Sequence, residues 1–378
     1  MDLAPAASAA PVAKPLRLEP FRAKLLAPAR VGDPTSARAF ARPYRAVSAR
    51  LQDWEADGRL THMSTEAVYV HEYTVGGLTV RGLVGSLSLA NRSDRAGDRA
   101  IWPHEGIHPV QVGELGKRMY EMAMNPAPIL LVHEGPPEVR ALLQAVVAAP
   151  PDVAYLDRAG QQQRIWSITR RDLLESINLG LQDSDALVAD GHHRYAAYLR
   201  LQEEHPGTPW DWGLAMLVDQ LDTPLFLGAI HRSMGGVTFA AARAAALAAG
   251  AQVQTLPRQV AVQELAPETI VLADGASWAV LTPPPGSGLA QVEWLHNVLL
   301  PRLPLPPSAI AYHHTADEAL QRADAHTVAV LLPALDFAAV RDLVHAGRLL
   351  PEKATSFQPK PSLGVLMRSL LDEPVAPS

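Results

Sequence analysis

The chain has 378 residues, 48% hydrophobic and 19% charged, which is enough apolar material for two or three domains and too little charge for a disordered polyelectrolyte. A formal net charge of −6 argues against broad electrostatic binding to nucleic acid or an anionic membrane. The absence of cysteine excludes disulfides, thiolate zinc sites and cysteine nucleophiles, and no apolar run approaches the roughly 20 residues that span a bilayer.

In chain order, residues Met1 to Pro15 are rich in alanine and proline and lack a basic start followed by an apolar block. They are expected to be a disordered tail of a cytoplasmic protein. Leu16 to Trp54 reads as irregular, with turn signals at Gly32-Asp33-Pro34 and Arg42-Pro43-Tyr44. Ala67 to Tyr73 and Leu78 to Gly85 flank Gly76-Gly77 and predict a hairpin. Leu115 to Met124 has helical spacing, Ile129 to Val132 reads as a buried strand, and Glu138 to Ala149 as a helix. A second hairpin is expected around Asp157 to Gly160, then a short helix from Asp172 to Leu179.

Ala186 to Ala189 is a short apolar strand, Asp190-Gly191 a turn, and His192 to Glu203 a helix. Leu214 to Val218 and Leu225 to Leu227 read as strands of another pair. After Gly235-Gly236 come an alanine-rich helix at Phe239 to Ala249 and strands at Thr269 to Leu272 and Trp278 to Leu281. Val328 to Leu332 reads as a strand and Phe337 to Ala346 as a helix. The expected organisation is a core at 16–236, a smaller α/β unit at 237–325, and a segment at 326–370 that returns to the core. Strands and helices alternate with hairpins, so the fold class is mixed α+β and not a doubly wound parallel sheet.

The turn at Asp190 carries the clearest chemistry. A helix begins with N–H groups that lack intrahelical acceptors, and its dipole is positive there. A strand that runs straight into such a helix makes an anion site. Gly191 lets the backbone approach a ligand, His192 and His193 add donors, and Arg194 suits phosphate oxygens. Asp190 suits a helix N-cap or a Mg²⁺ that accompanies a nucleoside triphosphate. The plain alternative is a capped helix with a solvated first turn. A zinc site at His192 and His193 fails, because adjacent helical residues do not face one ligand position. His104-Glu105-Gly106-Ile107-His108 has the His-Glu-x-x-His spacing of zinc proteases, but Pro109 pushes His108 out of the helical region. His231 and Arg232 follow an apolar stretch, Leu225 to Ile230, at what reads as a strand end.

Ala189-Asp190-Gly191-His192-His193-Arg194-Tyr195 resembles the signature of the family called Domain of Unknown Function 1015. Further blocks resemble that family in the same order: Pro20-Phe21-Arg22, Arg42-Pro43-Tyr44, Arg81 to Val84, His104-Glu105, Asn125 to Ile129, Ile230-His231-Arg232 and Leu350 to Lys360. The resemblance implies a ParB/sulfiredoxin-like mixed-sheet core with an additional smaller α/β unit, related to free-serine kinases. It implies nucleotide-phosphate binding by Gly191, His192, His193, Arg194, His231, Arg232, Lys353 and Lys360. It also places Glu105 beside Asp190 and His193 as catalytic groups, with Asp190 and Glu105 as ligands for Mg²⁺.

The function expected on that basis is an ATP- or other NTP-dependent phosphotransferase acting on a small hydroxylated metabolite such as free serine. A nucleotide-binding regulator of ParB-like type with little catalysis is the alternative. No membrane partner is expected, and the negative charge with no helix-turn-helix or basic stretch argues against DNA. Sulfiredoxin chemistry is impossible without a cysteine. The family's Pro-Pro-Tyr-Asp block is here Arg42-Pro43-Tyr44-Arg45, an acid replaced by a base, which favours binding over turnover.

Overall fold

The computed structural model describes residues 11–41 and 47–371, and every structural statement below concerns those residues. The Arg42-Pro43-Tyr44-Arg45 block lies outside them. The chain divides into two compact units, one of Met1–Leu225 with Pro359–Ser378 and one of Phe226–Gln358.

The first unit opens with β1 (Leu18–Glu19), β2 (Ala23–Leu26), α1 (Pro34–Ala41), α2 (Val47–Ala56) and β3 (Leu60–His62). It continues through β4 (Val68–Val75), β5 (Leu78–Ser88), β6 (Ile101–Trp102), α3 (Pro109–Met122), β7 (Met124–Asn125), β8 (Ile129–His133) and α4 (Pro137–Val147). Then come β9 (Val153–Leu156), β10 (Gln162–Ile168), α5 (Arg171–Leu181), β11 (Ala186–Asp190), α6 (His192–Glu204) and β12 (Trp212–Asp219).

The main sheet runs β6-β11-β8-β12-β5-β4-β10-β9, with β1 added alongside β5. It is mixed: β11 pairs parallel with β6 and antiparallel with β8, while β12 pairs parallel with β8 and antiparallel with β5. All five residues of β8 are buried, as expected of a central strand covered on both faces. The β4–β5 hairpin turns at Gly76 and Gly77, both at positive φ (56° and 83°), the backbone that a tight two-residue hairpin turn requires. Helix α6 packs on one face of this sheet. Tyr198 Cδ2 lies 2.6 Å from where a Cβ on Gly213 of β12 would stand, so only glycine admits the ring there.

The second unit holds β13 (Phe226–Gly228), β14 (His231–Gly235), α7 (Phe239–Ala248), β15 (Gln252–Thr255), α8 (Arg258–Gln263), β16 (Ile270–Ala273), β17 (Trp278–Thr282) and α9 (Gln291–Trp294). After these come β18 (Ile310–His313), α10 (Ala316–Leu320), β19 (Thr327–Leu331), α11 (Phe337–His345) and β20 (Ser356–Gln358). Its sheet is β15-β17-β16-β19-β14-β18, antiparallel throughout, over a core that includes Val271, Trp278, Ala329 and Leu331. The chain then returns to the first unit, where β21 (Met367–Ser369) pairs with β2 and β7.

Four expectations change. Residues 1–10 of the expected tail lie outside the described residues, and its end is not disordered: Val12 and Ala13 are buried, and the Val12 N–H donates to the Tyr195 hydroxyl at 2.9 Å. The Leu16 to Trp54 stretch is not irregular, because the Gly32-Asp33-Pro34 signal starts a helix. The Asp33 carboxylate accepts from Thr35 N at 2.9 Å, and Pro34 opens α1. The strands at Leu214 and Leu225 do not pair; β12 is taken by β5 and β8, and β13 by β20. The second unit is wider than 237–325. Strand β19 sits inside its sheet between β16 and β14, so Val328 to Leu332 belongs there, and the return begins at Pro359.

Candidate functional site

Strand β11 ends at Asp190, and Gly191 is the N-cap residue of α6 with φ 91° and ψ 30°. That left-handed backbone costs an L-residue and suits glycine. The first helical bond runs from Tyr195 N to Gly191 O at 2.8 Å, and the N-cap residue, a glycine, makes no side-chain cap bond. The helix therefore starts with its positive end uncapped, over a strand end.

Asp190 is not the cap. Its Oδ2 accepts from Arg194 Nη2 at 2.8 Å, and its Oδ1 accepts from Lys360 Nζ. Burial opposes its ionisation, but Arg194 and Lys360 outweigh it and hold the carboxyl below the ordinary aspartate value. Arg194 also donates through Nη1 to the Pro128 carbonyl at 2.8 Å, and Tyr198 donates its hydroxyl to the Ala127 carbonyl at 3.2 Å. Helix α6 thus fastens the Asn125 to Pro128 segment to the turn. From the other side, buried Arg368 binds Asn125 Oδ1 at 3.1 Å, the Trp212 carbonyl at 2.6 Å and the Pro209 carbonyl at 2.7 Å.

The His104-Glu105 block meets the same turn. His104 and His192 pack edge to face, ring centroids 4.6 Å apart, and the His104 N–H donates to His192 Nε2 at 3.4 Å. His108 and His193 stack, and the His108 N–H donates to His193 Nε2 at 3.0 Å. Each histidine of the turn is thereby oriented by one backbone N–H of the block, with Nε2 as acceptor. Burial, reinforced by His104, pushes His192 down to about 3, so it is neutral at pH 7. A neutral, buried His192 supports the turn from beneath and does not lend charge to an anion. His108 is the N-cap of α3 with extended backbone (φ −95°, ψ 115°), so the zinc-protease spacing is not on one helix. The half-buried Glu105 carboxylate lies 3.7 Å from His104 Nε2.

Lys360 is held over the turn by its neighbours. The Tyr73 hydroxyl donates to the Pro359 carbonyl at 2.7 Å, and Ser362 Oγ donates to Asp157 Oδ2 at 2.9 Å. Asp157 also accepts from Gln163 Nε2 at 2.9 Å, and Gln163 meets buried His71 at 2.7 Å. Burial raises the Tyr73 hydroxyl well above the ordinary tyrosine value, and the Asp190 charge adds to the shift, so it stays a donor. No local sequence signal marks Tyr73, Tyr198 or Arg368. The Asn125 to Ile129 resemblance is the one hint that Pro128 belongs here.

His231, Arg232 and Lys353 lie in the second unit. His231 and Arg232 do not follow a strand running from Leu225 to Ile230: that strand, β13, stops at Gly228, and the two residues open β14 and are buried. His231 Nδ1 accepts from Leu332 N at 3.1 Å. Arg232 donates to the carbonyls of Ile230 and Lys353, the latter at 2.9 Å, and lies over the Tyr312 ring. Lys353 has positive φ (55°), and its Nζ lies 5.6 Å from the Tyr312 ring centroid.

Among the described residues no three His, Asp or Glu side chains cluster to hold a metal. Both oxygens of Asp190 are already engaged by cations, so Asp190 does not fit a resident Mg²⁺. Among the described residues no helix is long and apolar enough to cross a membrane.

Fold and site together define a mixed α/β protein with an uncapped helix N-terminus presented at a strand end between basic side chains. The chain belongs to the family described as Protein of unknown function (DUF1015), whose model matches residues 23–322. No curated protein matches it. Among solved structures it is similar to SbnI with C-terminal truncation from Staphylococcus aureus, at 12% identity and TM-score 0.46, covering 77% of this chain and 91% of that one. It is also similar to a free serine kinase in complex with AMP, at 15% identity and TM-score 0.40, covering 71% of this chain and 88% of that one. A conserved hypothetical protein from Pyrococcus furiosus is similar at 15% identity and TM-score 0.39, covering 70% and 92%.

Proposed function

We propose that the protein binds a nucleoside triphosphate with its phosphates at the Gly191 turn and transfers the terminal phosphoryl group to a small hydroxylated acceptor such as free serine. The observation that carries this reading is the uncapped start of α6 at Gly191, with the turn's one carboxylate neutralised by Arg194 and Lys360. A turn in that state accepts added negative charge. The resemblance to ParB/sulfiredoxin-like proteins belongs to the same proposal.

Phosphoryl transfer asks mainly for positioning and charge stabilisation. The N–H groups of the first turn, His193 and Lys360 receive the phosphates. Glu105 takes the proton of the acceptor hydroxyl as its oxygen bonds to the terminal phosphorus, and the bond to the bridging oxygen breaks to release the nucleoside diphosphate. Mg²⁺ enters as part of the substrate, the magnesium complex of the nucleotide. Asp190, tied to two cations, positions Arg194 and Lys360 and is a poor base.

One observation favours a second reading, a nucleotide-binding regulator with little catalysis: the Asp190 carboxylate is closed off by its two partners and unavailable to an acceptor. Incubation with ATP, Mg²⁺ and serine distinguishes the two. Formation of ADP and phosphoserine that falls about a hundredfold in His193→Ala and Arg194→Ala supports transfer. ATP binding without either product supports the regulator. Absence of ATP binding removes both.

A further inference from the structure

The first unit holds a cleft of about 650 Å³ between the Ala13 to Phe21 segment and the ends of β5 and β12. That volume is in the usual range for small-molecule sites. The cleft lies on the opposite face of the sheet from α6. Gly213 faces Tyr198 of α6, so its neighbour Trp212 points the other way. Ser88 pairs with Trp212 across the ladder, and Ser86 shares that face two residues along β5. The cleft is therefore separate from the Gly191 turn.

Ser86 is 3% exposed and lines the cleft, and among the described residues its hydroxyl has no hydrogen-bond partner. A buried hydroxyl left unpaired carries its full desolvation cost, so a group that reaches it from the cleft gains the bond at little further expense. The remaining polar lining is rich in acceptors. Asn91 donates its amide N–H to the Lys14 carbonyl at 2.7 Å, which leaves its carbonyl oxygen as an acceptor. Arg17 is neutralised by its ion pair with Glu19. Glu66 is exposed and, among the described residues, makes no ion pair, with Arg22 opposite it across the Phe21–Ala67 bridge, so it is the lining carboxylate left without a salt-bridge partner. Trp212 supplies an aromatic wall, which attracts a cation and covers a short carbon body.

We propose that this cleft binds a small primary amine in its ammonium form. Glu66 neutralises the ammonium charge, Ser86 and Asn91 take its N–H groups, and Trp212 covers its carbon chain. The site stands apart from the nucleotide reading and does not depend on it. The test is titration calorimetry of the full chain with ethanolamine and 1,4-diaminobutane, with succinate as the anionic comparison. The expected result is saturable binding of both amines, weakened about tenfold in Glu66→Gln and in Ser86→Ala, as loss of a bond to a charged group predicts. Succinate does not bind, and ATP affinity is unchanged in both variants. Ser86→Ala removes a hydroxyl that has no partner among the described residues, so the variant folds. No saturable amine binding, amine binding unchanged in both variants, or succinate binding as tight as the amines would each overturn the proposal.

Discussion

Arg194 and Asp190 are one helical turn apart and joined at 2.8 Å, so the arginine that the sequence offers to phosphate is committed to the turn itself. Its second bond, to the Pro128 carbonyl, ties the start of β8 to the start of α6. The guanidinium is a structural clamp within the turn, and in the proposed reading Lys360 and His193 are the side chains left to meet the phosphates.

That clamp gives a direct expectation. Arg194→Ala removes two charge-assisted bonds and is expected to destabilise the protein by about 2–3 kcal/mol. Arg194→Lys restores the charge but not the forked geometry, and recovers less than half of the loss. Urea denaturation of the three proteins checks both statements.

Gly191→Ala is expected to cost stability and ligand affinity separately. A Cβ there would lie 3.0–3.2 Å from the Arg194 guanidinium, and the left-handed backbone adds about 1–2 kcal/mol. The guanidinium must shift, so ATP affinity falls at least tenfold even where the variant is fully folded. Binding measured well below the melting temperature, with an affinity equal to wild type, would refute this.

Acid sensitivity comes from buried histidines before carboxylates. Burial holds His71 near 4 and His192 near 3, and lowers His133 as well. Below about pH 6.5 the unfolded chain takes up protons that these folded sites refuse, so stability falls with pH until the folded histidines themselves protonate. Each contributes up to about 1.4 kcal/mol per pH unit in that window. Asp190 acts lower: its folded value is depressed, so its contribution persists down to its unfolded value near 3.8 and is lost below it. The urea midpoint is expected to drop between pH 7 and pH 5, and less steeply in His71→Gln.

Tyr73→Phe tests the support under Lys360. Loss of the bond to Pro359 is expected to cost about 1 kcal/mol. Amide exchange is expected to quicken selectively between residues 359 and 362, and ATP affinity to fall with it. Uniform exchange across the chain would show that Tyr73 only packs.

Much of the first unit was legible locally. The hairpin at Gly76-Gly77, strand β8 and the β11–Gly191–α6 unit each follow from contiguous residues: an alternating or apolar run, then a residue suited to the turn. The two segments that meet at the candidate site were visible too, as His104-Glu105 and Asp190 to Arg194. What stayed hidden was their joining. Lys360 reaches Asp190 across 170 positions, and Tyr73 reaches Pro359 across 286. No periodicity encodes such pairs. For the same reason β12 and β13 looked like partners: strand propensity is local, but the choice of neighbour is not.

The sequence by itself determined that a helix begins at His192 after a glycine that tolerates left-handed backbone, and that no cysteine chemistry is possible. Only the tertiary structure decided what the polar residues there do. Burial makes His192 neutral, and Lys360 from 170 residues away closes on Asp190 beside the local Arg194. Charge state depends on desolvation and on neighbours brought together by folding, and neither is a property of the residue or of the motif that contains it.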